Sequence, residues 1–288
     1  MKVNRTKGDK KVVKKRYFLA MLLVATIMLS ACSQQSKQEK GQSDETASKI
    51  DLSEYKNSDI FITPQELNEM LGDPNLIIFD SSKADVYEKK HIPGAIGVGW
   101  HKFSQVDGKP GDPLWGTSLE KAELKEMLES FGVTNDKLVV FTSNVLPGPG
   151  PDGRNVWQMR MAGLDNVKLL YGGNPYWEKL GYEMSKEVPT VGEPSTSLQL
   201  ENFDESYRAT KDYIYENLGK TVIIDVRTEK EYKGSQDAGE ARGGHIEGAK
   251  NLLWSSLLNE DATPKSSKDI ISMMAELGVK PEDDFVVY

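Results

Sequence analysis

Cysteine is almost missing from this chain: Cys32 is the single one among 288 residues. No intrachain disulfide can form, and a metal site built from several thiolates is excluded. Positive charge is outweighed, with 36 Lys and Arg against 44 Asp and Glu and a balance of −8, which argues against a nucleic-acid binder held by bulk charge. Histidine is scarce, and no apolar run reaches the roughly 20 residues of a comfortable membrane-crossing helix. The length is too great for a disulfide mini-protein. At roughly 100 to 200 residues per domain it implies two domains, and 38% apolar residues can fill their cores.

The charge is also uneven. Residues 1–31 hold eight Lys and Arg against Asp9 alone, a local balance of +7 that leaves −15 for the rest. Behind this basic cluster, Tyr17 to Leu29 is an almost unbroken apolar run, short enough to read as the core of an export signal. It closes with Leu29, Ser30, Ala31, Cys32, which resembles the bacterial lipoprotein box, where the Cys is lipidated and becomes the first residue of the mature protein. A short membrane anchor with a chance cysteine is the alternative. Residues 1–31 are therefore read as a lipoprotein signal peptide, Cys32 as the lipid attachment site and residues 32–54 as a polar tether. The expected location is a membrane surface on the extracytoplasmic side.

The rest of the chain is one unit written twice. Leu76, Ile77, Ile78, Phe79, Asp80 precede Tyr87, then His91, Ile92, Pro93, Gly94, Ala95 and Trp100. Val222, Ile223, Ile224, Asp225 precede Tyr232, then His245, Ile246, Glu247, Gly248, Ala249 and Trp254. Asp to Tyr is seven residues in both copies and His to Trp is nine, so one module has been duplicated. The interval from Tyr to His is nine residues longer in the second copy; Gly234 to about Arg242 reads as a loop insertion.

Each copy opens with a helix. Thr63, Pro64, Gln65, Glu66 form a capping box, and Thr210 to Gly219 answers them. The apolar runs 76–79 and 222–224 read as strands buried on both faces. A second helix, through Leu124 and Leu128 or Ile270 and Met274, leads to a second strand at 138–141 or 285–288. This alternation implies a mostly parallel sheet covered by helices. Only the first copy continues, with a Gly/Pro-rich loop from Thr142 to Gly153, a helix from about Asn155 to Ala162, a strand at 167–171 and a last helix with Trp177. The second copy lacks a stretch on the order of 45 residues long.

These residues resemble the tandem-domain rhodaneses, or thiosulfate sulfurtransferases. The likeness covers about residues 60–288. It rests on Asp225, Val226, Arg227 with Tyr232, on Gly244 to Ala249, and on Arg154 to Arg160 leading to Tyr171, Gly172, Gly173 and Trp177. It implies an α/β fold of two rhodanese-like modules with mostly parallel five-stranded sheets and flanking helices: module 1 at 55–190, non-catalytic, and module 2 at 195–288, incomplete before its active-site loop. The family's nucleophile is a Cys placed first in the loop after the strand that here ends at Tyr288. Its thiolate takes the outer sulfur of thiosulfate or another small sulfur-containing anion as a persulfide and passes it on. Successive backbone N–H groups and an Arg hold the anion. Thr142 stands at the equivalent place in the first copy, and an alkoxide makes no transferable persulfide. No catalytic residue is therefore assigned in these 288 residues, and no cofactor is expected.

By the same likeness Arg227 is the first candidate for binding substrate anions and Arg242 a weaker one, although a guanidinium suits a carboxylate equally well. Ser82 replaces the arginine in the first copy. His91 and His245 occupy equal places in the repeat, so a shared structural role explains both; with His101 unmatched, no metal site is expected. Asp80 and Asp225, at strand ends, are expected to fix loop backbone. Three functions compete: a membrane-tethered sulfurtransferase, a non-catalytic module binding a small anion or a protein, and a truncated product without function. A related phosphatase chemistry fails for want of the same cysteine.

Overall fold

The computed structural model describes residues 50–237 and 242–288. Cys32, the expected export signal and the expected tether before residue 50 lie outside the described residues.

Helix α1 (Pro64–Glu69) starts as its sequence dictates. Thr63 Oγ1 accepts the Glu66 N–H at 3.2 Å, and the Glu66 carboxylate accepts the Thr63 N–H at 2.9 Å. Five strands, β1 (Phe61–Ile62), β2 (Leu76–Asp80), β3 (Ile96–Gly97), β4 (Leu138–Thr142) and β5 (Val167–Leu170), form a parallel sheet in the order β1-β5-β4-β2-β3. Strands β2 and β4 bury three consecutive apolar residues each, Ile77 to Phe79 and Val139 to Phe141, because helices cover both faces. On one face lie α3 (Lys121–Ser130), through Leu124 and Leu128, and α4 (Pro151–Met161), through Val156 and Met159. On the other lie α1, through Leu67, and α5 (Gly173–Lys179), through Trp177. The short helix α2 (Ala84–Tyr87) follows β2.

Helix α4 begins four residues earlier than the expected Asn155. Gly150 takes the left-handed φ of 62° and Pro151 occupies the first helical turn, where a proline's missing N–H costs nothing. Of the prolines in this stretch, Pro147 and Pro149 shape the turn and Pro151 starts the helix.

The second sheet repeats part of the first. Strands β6 (Val222–Asp225), β7 (Lys250–Asn251) and β8 (Phe285–Val287) run parallel in the order β7-β6-β8, matching β3-β2-β4. Helices α6 (Lys211–Glu216), α7 (Glu229–Tyr232) and α8 (Ser267–Glu276) accompany them, and none holds a buried residue. Nothing among the described residues corresponds to α4, β5 and α5, so β8 has a strand neighbour on one side only, and Phe285 and Val287 are about half exposed. An apolar groove of about 270 Å³ opens beside it, lined by Ile224, Leu252, Ile270, Met274, Val279 and Phe285.

Residues 195–204, grouped by the repeat with the second module, lie along the first. Ser195 N donates to Glu129 O, Gln199 N to Asn135 Oδ1, and Glu201 N to Ala162 O. Leu198 and Leu200 enter the core of the first module beside α3 and α4. Their alternation with polar residues is the reason: one side of an extended segment can be buried while the other stays in water.

Candidate functional site

Strands β2 and β6 both end in a fully buried aspartate, and the two copies surround it differently. In the second module Arg227 closes on Asp225. Arg227 Nε donates to Asp225 Oδ1 at 3.0 Å and Nη2 to Oδ2 at 2.6 Å, while the Arg227 backbone N–H also reaches Oδ1 at 3.0 Å. The same Nη2 donates to Gly244 O at 2.9 Å, and the guanidinium carbon sits 5.4 Å from the centre of the Tyr288 ring. Burial would push the Asp225 carboxyl up, but the Arg227 contacts outweigh it and the net direction is down. Hydrogen bonding to that carboxylate raises Arg227 above its ordinary value.

The frame around this pair is rigid. Asn251 Nδ2 donates to Asp225 O and Arg227 O, Leu252 N to Asp225 O, and Tyr288 OH accepts the Ile246 N–H at 2.9 Å. Arg227 thus stands at the carboxyl end of the parallel strands, where open α/β sheets bind ligands. Arg242 is exposed, and none of the described hydrogen bonds or ion pairs joins it to Arg227 or Asp225.

In the first module the corresponding place is closed by neutral groups. Asp80 Oδ1 accepts the Ser82 N–H at 2.8 Å and Oδ2 accepts Asn174 Nδ2 at 2.8 Å. Thr142 is the last residue of β4, fully buried, and its hydroxyl donates to Asn174 Oδ1 at 2.9 Å. Burial raises the Asp80 carboxyl, with Ser82 and Asn174 pulling the other way. Nearby, Asp152 in the first turn of α4 is 3% exposed. Burial pushes it up to about 6, against the pull of the Ser143 hydroxyl and the Gly153 N–H, which donates to Oδ1 at 3.1 Å.

The amide-rich head of α4 is therefore occupied by the chain's own carboxyl, and the Thr142 hydroxyl is held out of reach of solvent. Arg154 is committed elsewhere. It donates to Gly116 O and Ser104 Oγ and lies 5.7 Å from the Trp100 ring, with burial lowering it from its ordinary value. Asp152 and Asn174 were missed in the sequence. Asp152 had a readable signal, an acid directly after a Pro that opens a helix; Asn174 had none.

His91, fully buried, and His245, exposed, meet their tyrosines alike. Each Nδ1 lies 2.8 Å from a tyrosine carbonyl, of Tyr87 and Tyr232, and each ring stacks on that tyrosine at 3.9 and 3.7 Å with 11° between planes. The tyrosine hydroxyls in turn donate to Ala95 O and Ala249 O. Among the described residues no three His, Cys, Asp or Glu side chains come together as a metal site requires, and no helix is long and apolar enough to cross a membrane.

The family model of the rhodanese-like domain matches residues 63–180 and 210–288. A thiosulfate sulfurtransferase of Pseudomonas aeruginosa is 30% identical over 240 residues, covering 82% of this chain and 84% of the relative. A protein named sulfur carrier protein TtuD, from Thermus thermophilus, is 28% identical over 253 residues, 81% of this chain and 83% of its own length. Among solved structures, an anaerobic ergothioneine biosynthesis enzyme from Chlorobium limicola superposes with a TM-score of 0.66 at 21% identity; 81% of this chain is matched, to 61% of that longer one. That likeness is one of fold. With the domain model matched in two successive segments, the chain belongs to the rhodanese-like family.

Proposed function

We propose that this chain is the scaffold of a rhodanese-type sulfurtransferase, anchored by lipid at Cys32 on the extracytoplasmic face of a membrane and acting on thiosulfate or a similar sulfur-containing anion. The observation that carries the reading is the fixed Arg227 beside Tyr288, at the end of the strand after which the family places its nucleophile. In the proposed reaction a cysteine thiolate attacks the outer sulfur of thiosulfate, the S–S bond breaks, sulfite leaves, and the persulfide passes its sulfur to a second nucleophile. Arg227 would steady the anion, with Arg242 a secondary candidate.

A protein of just these 288 residues is proposed to be inactive, since its single thiol is Cys32 and Thr142 cannot form a persulfide. Residues of the kind that follow Phe141 in the first module, led by a cysteine, would complete the site. A second reading, a non-catalytic binding module, is favoured by the burial of Thr142 and Asp152 in the first module.

The test is thiosulfate-dependent thiocyanate formation. The 288-residue chain and its Cys32→Ser variant are expected to show none, whereas a gene product continuing past Tyr288 with a cysteine-led loop is expected to turn over. Turnover by the Cys32→Ser variant overturns the mechanism. Mass spectrometry of the mature N-terminus tests the anchor, and an unmodified Cys32 in an uncut precursor overturns it.

A further inference from the structure

The residues just before β1 touch both modules. A turn shapes them: Ser53 N donates to Asp51 Oδ1 at 2.9 Å and Tyr55 N to Leu52 O at 3.1 Å. Towards the first module, the Tyr55 ring lies 5.9 Å from Phe61, whose ring meets Tyr171 edge-on at 5.9 Å. Towards the second, the Tyr55 hydroxyl donates to Lys265 O at 3.0 Å, and the Glu54 carboxylate accepts the Ser267 N–H at 2.8 Å. Ser267 is the first residue of α8, so this N–H has no acceptor within the helix, and a carboxylate there also faces the positive end of the helix dipole.

The turn that leads into α8 is gripped from two sides. Asn259 N donates to Thr263 O and Thr263 Oγ1 to Asp261 Oδ1, which shapes the turn around Ala262, 3% exposed and at a φ of 66°. A residue with a Cβ persists there only where its surroundings fix the backbone. Lys179 at the end of α5 donates to Asp261 Oδ2 at 2.7 Å from the other side. The Lys179–Asp261 pair is largely exposed on its lysine side and holds little by itself. Helix α8 is capped by its own Ser266 but buries no residue fully, so contacts from outside the second module add to what holds it.

We propose that residues 51–61 are a strap that sets the second module on the first, with Tyr55 as its pin and Glu54 as the cap of α8. The strap needs none of the sulfur chemistry and stands or falls apart from it. It also joins the N-terminal segment to the helix that walls the apolar groove, so order in α8 and its turn follows order in residues 51–61.

Amide hydrogen exchange on the 288-residue chain tests this. In Glu54→Ala and Tyr55→Phe, exchange across residues 259–270 is expected to quicken by about five-fold or more, while β2 and β4 keep their protection and Glu126→Ala, on the exposed side of α3, changes nothing. Glu54→Gln, which keeps an acceptor, is expected to retain much of the protection at Ser267. Should Tyr55→Phe disturb the first module as well, Glu54→Ala decides, since Glu54 is exposed and outside either core. Wild-type exchange at 259–270 in Glu54→Ala overturns the strap.

Discussion

Two buried carboxyls, Asp152 in the first module and Asp225 in the second, are displaced in opposite directions, so their protonation couples to folding with opposite signs. Asp152 rises from 3.8 to about 6 in the folded chain. Folding therefore takes up a proton between those values; the stabilisation is full below about pH 4 and is lost as pH rises through 6, a span of about 3 kcal/mol. Asp152→Asn removes this dependence. Urea unfolding should show the variant gaining on the parent by about 3 kcal/mol between pH 4 and pH 7.5, and a difference that stays flat with pH would mean the carboxyl is not held in this way. Asp225 is lowered, so its contribution is present above its unfolded value and is lost as pH falls through its folded one. Arg227→Ala strands that carboxylate, fully buried, without its partner. The expected cost at pH 7 is about 3 kcal/mol, shrinking as the pH drops below 4; a cost that is the same at pH 3 and pH 7 would rule out the pair as its cause.

Elements announce themselves in this sequence when their cause is local. The Thr63–Glu66 box, the three-residue apolar cores of β2 and β4, and the Tyr87–His91 pair all act within one element or one turn, and the geometry follows them. The Gly/Pro-rich composition of 142–153 reads as loop through Asp152, whereas Pro151 stands in the first helical turn, where proline is favoured. The Asn174 bridge between Asp80 and Thr142 spans residues more than thirty apart in sequence, and no pattern in a single chain reports such a meeting. Strand β8 shows the same limit from the other side: its apolar run reads as a buried strand, yet Val287 is 54% exposed. A half-exposed apolar edge invites association with other chains. In the 288-residue chain, Val287→Lys is expected to delay aggregation on heating while changing stability by no more than about 0.5 kcal/mol. A loss of about 2 kcal/mol would show instead that something covers this edge.

At the scale of the whole molecule, the division of the chain into modules does not coincide with the division of its packing. The first module holds both principal cores, and it draws Leu198 and Leu200 into one of them from a segment expected to belong to the second module. The described helices of the second module hold no buried residue, and the module donates a hydrogen bond to Glu54 and accepts one from Tyr55, both far upstream. A fragment ending at residue 190 therefore keeps the first sheet but loses two leucines that are 0% and 8% exposed. At about 2 kcal/mol for each buried leucine, residues 50–206 should be about 4 kcal/mol more stable than residues 50–190. Residues 205–288 alone, deprived of the strap and of the contacts around Asp261, should show no cooperative transition. Urea titrations of the three fragments followed by circular dichroism check this. If residues 50–190 match 50–206, the leucines only rest on the first module; if 205–288 unfold cooperatively, the second module stands on its own sheet and the two modules do not differ in this way.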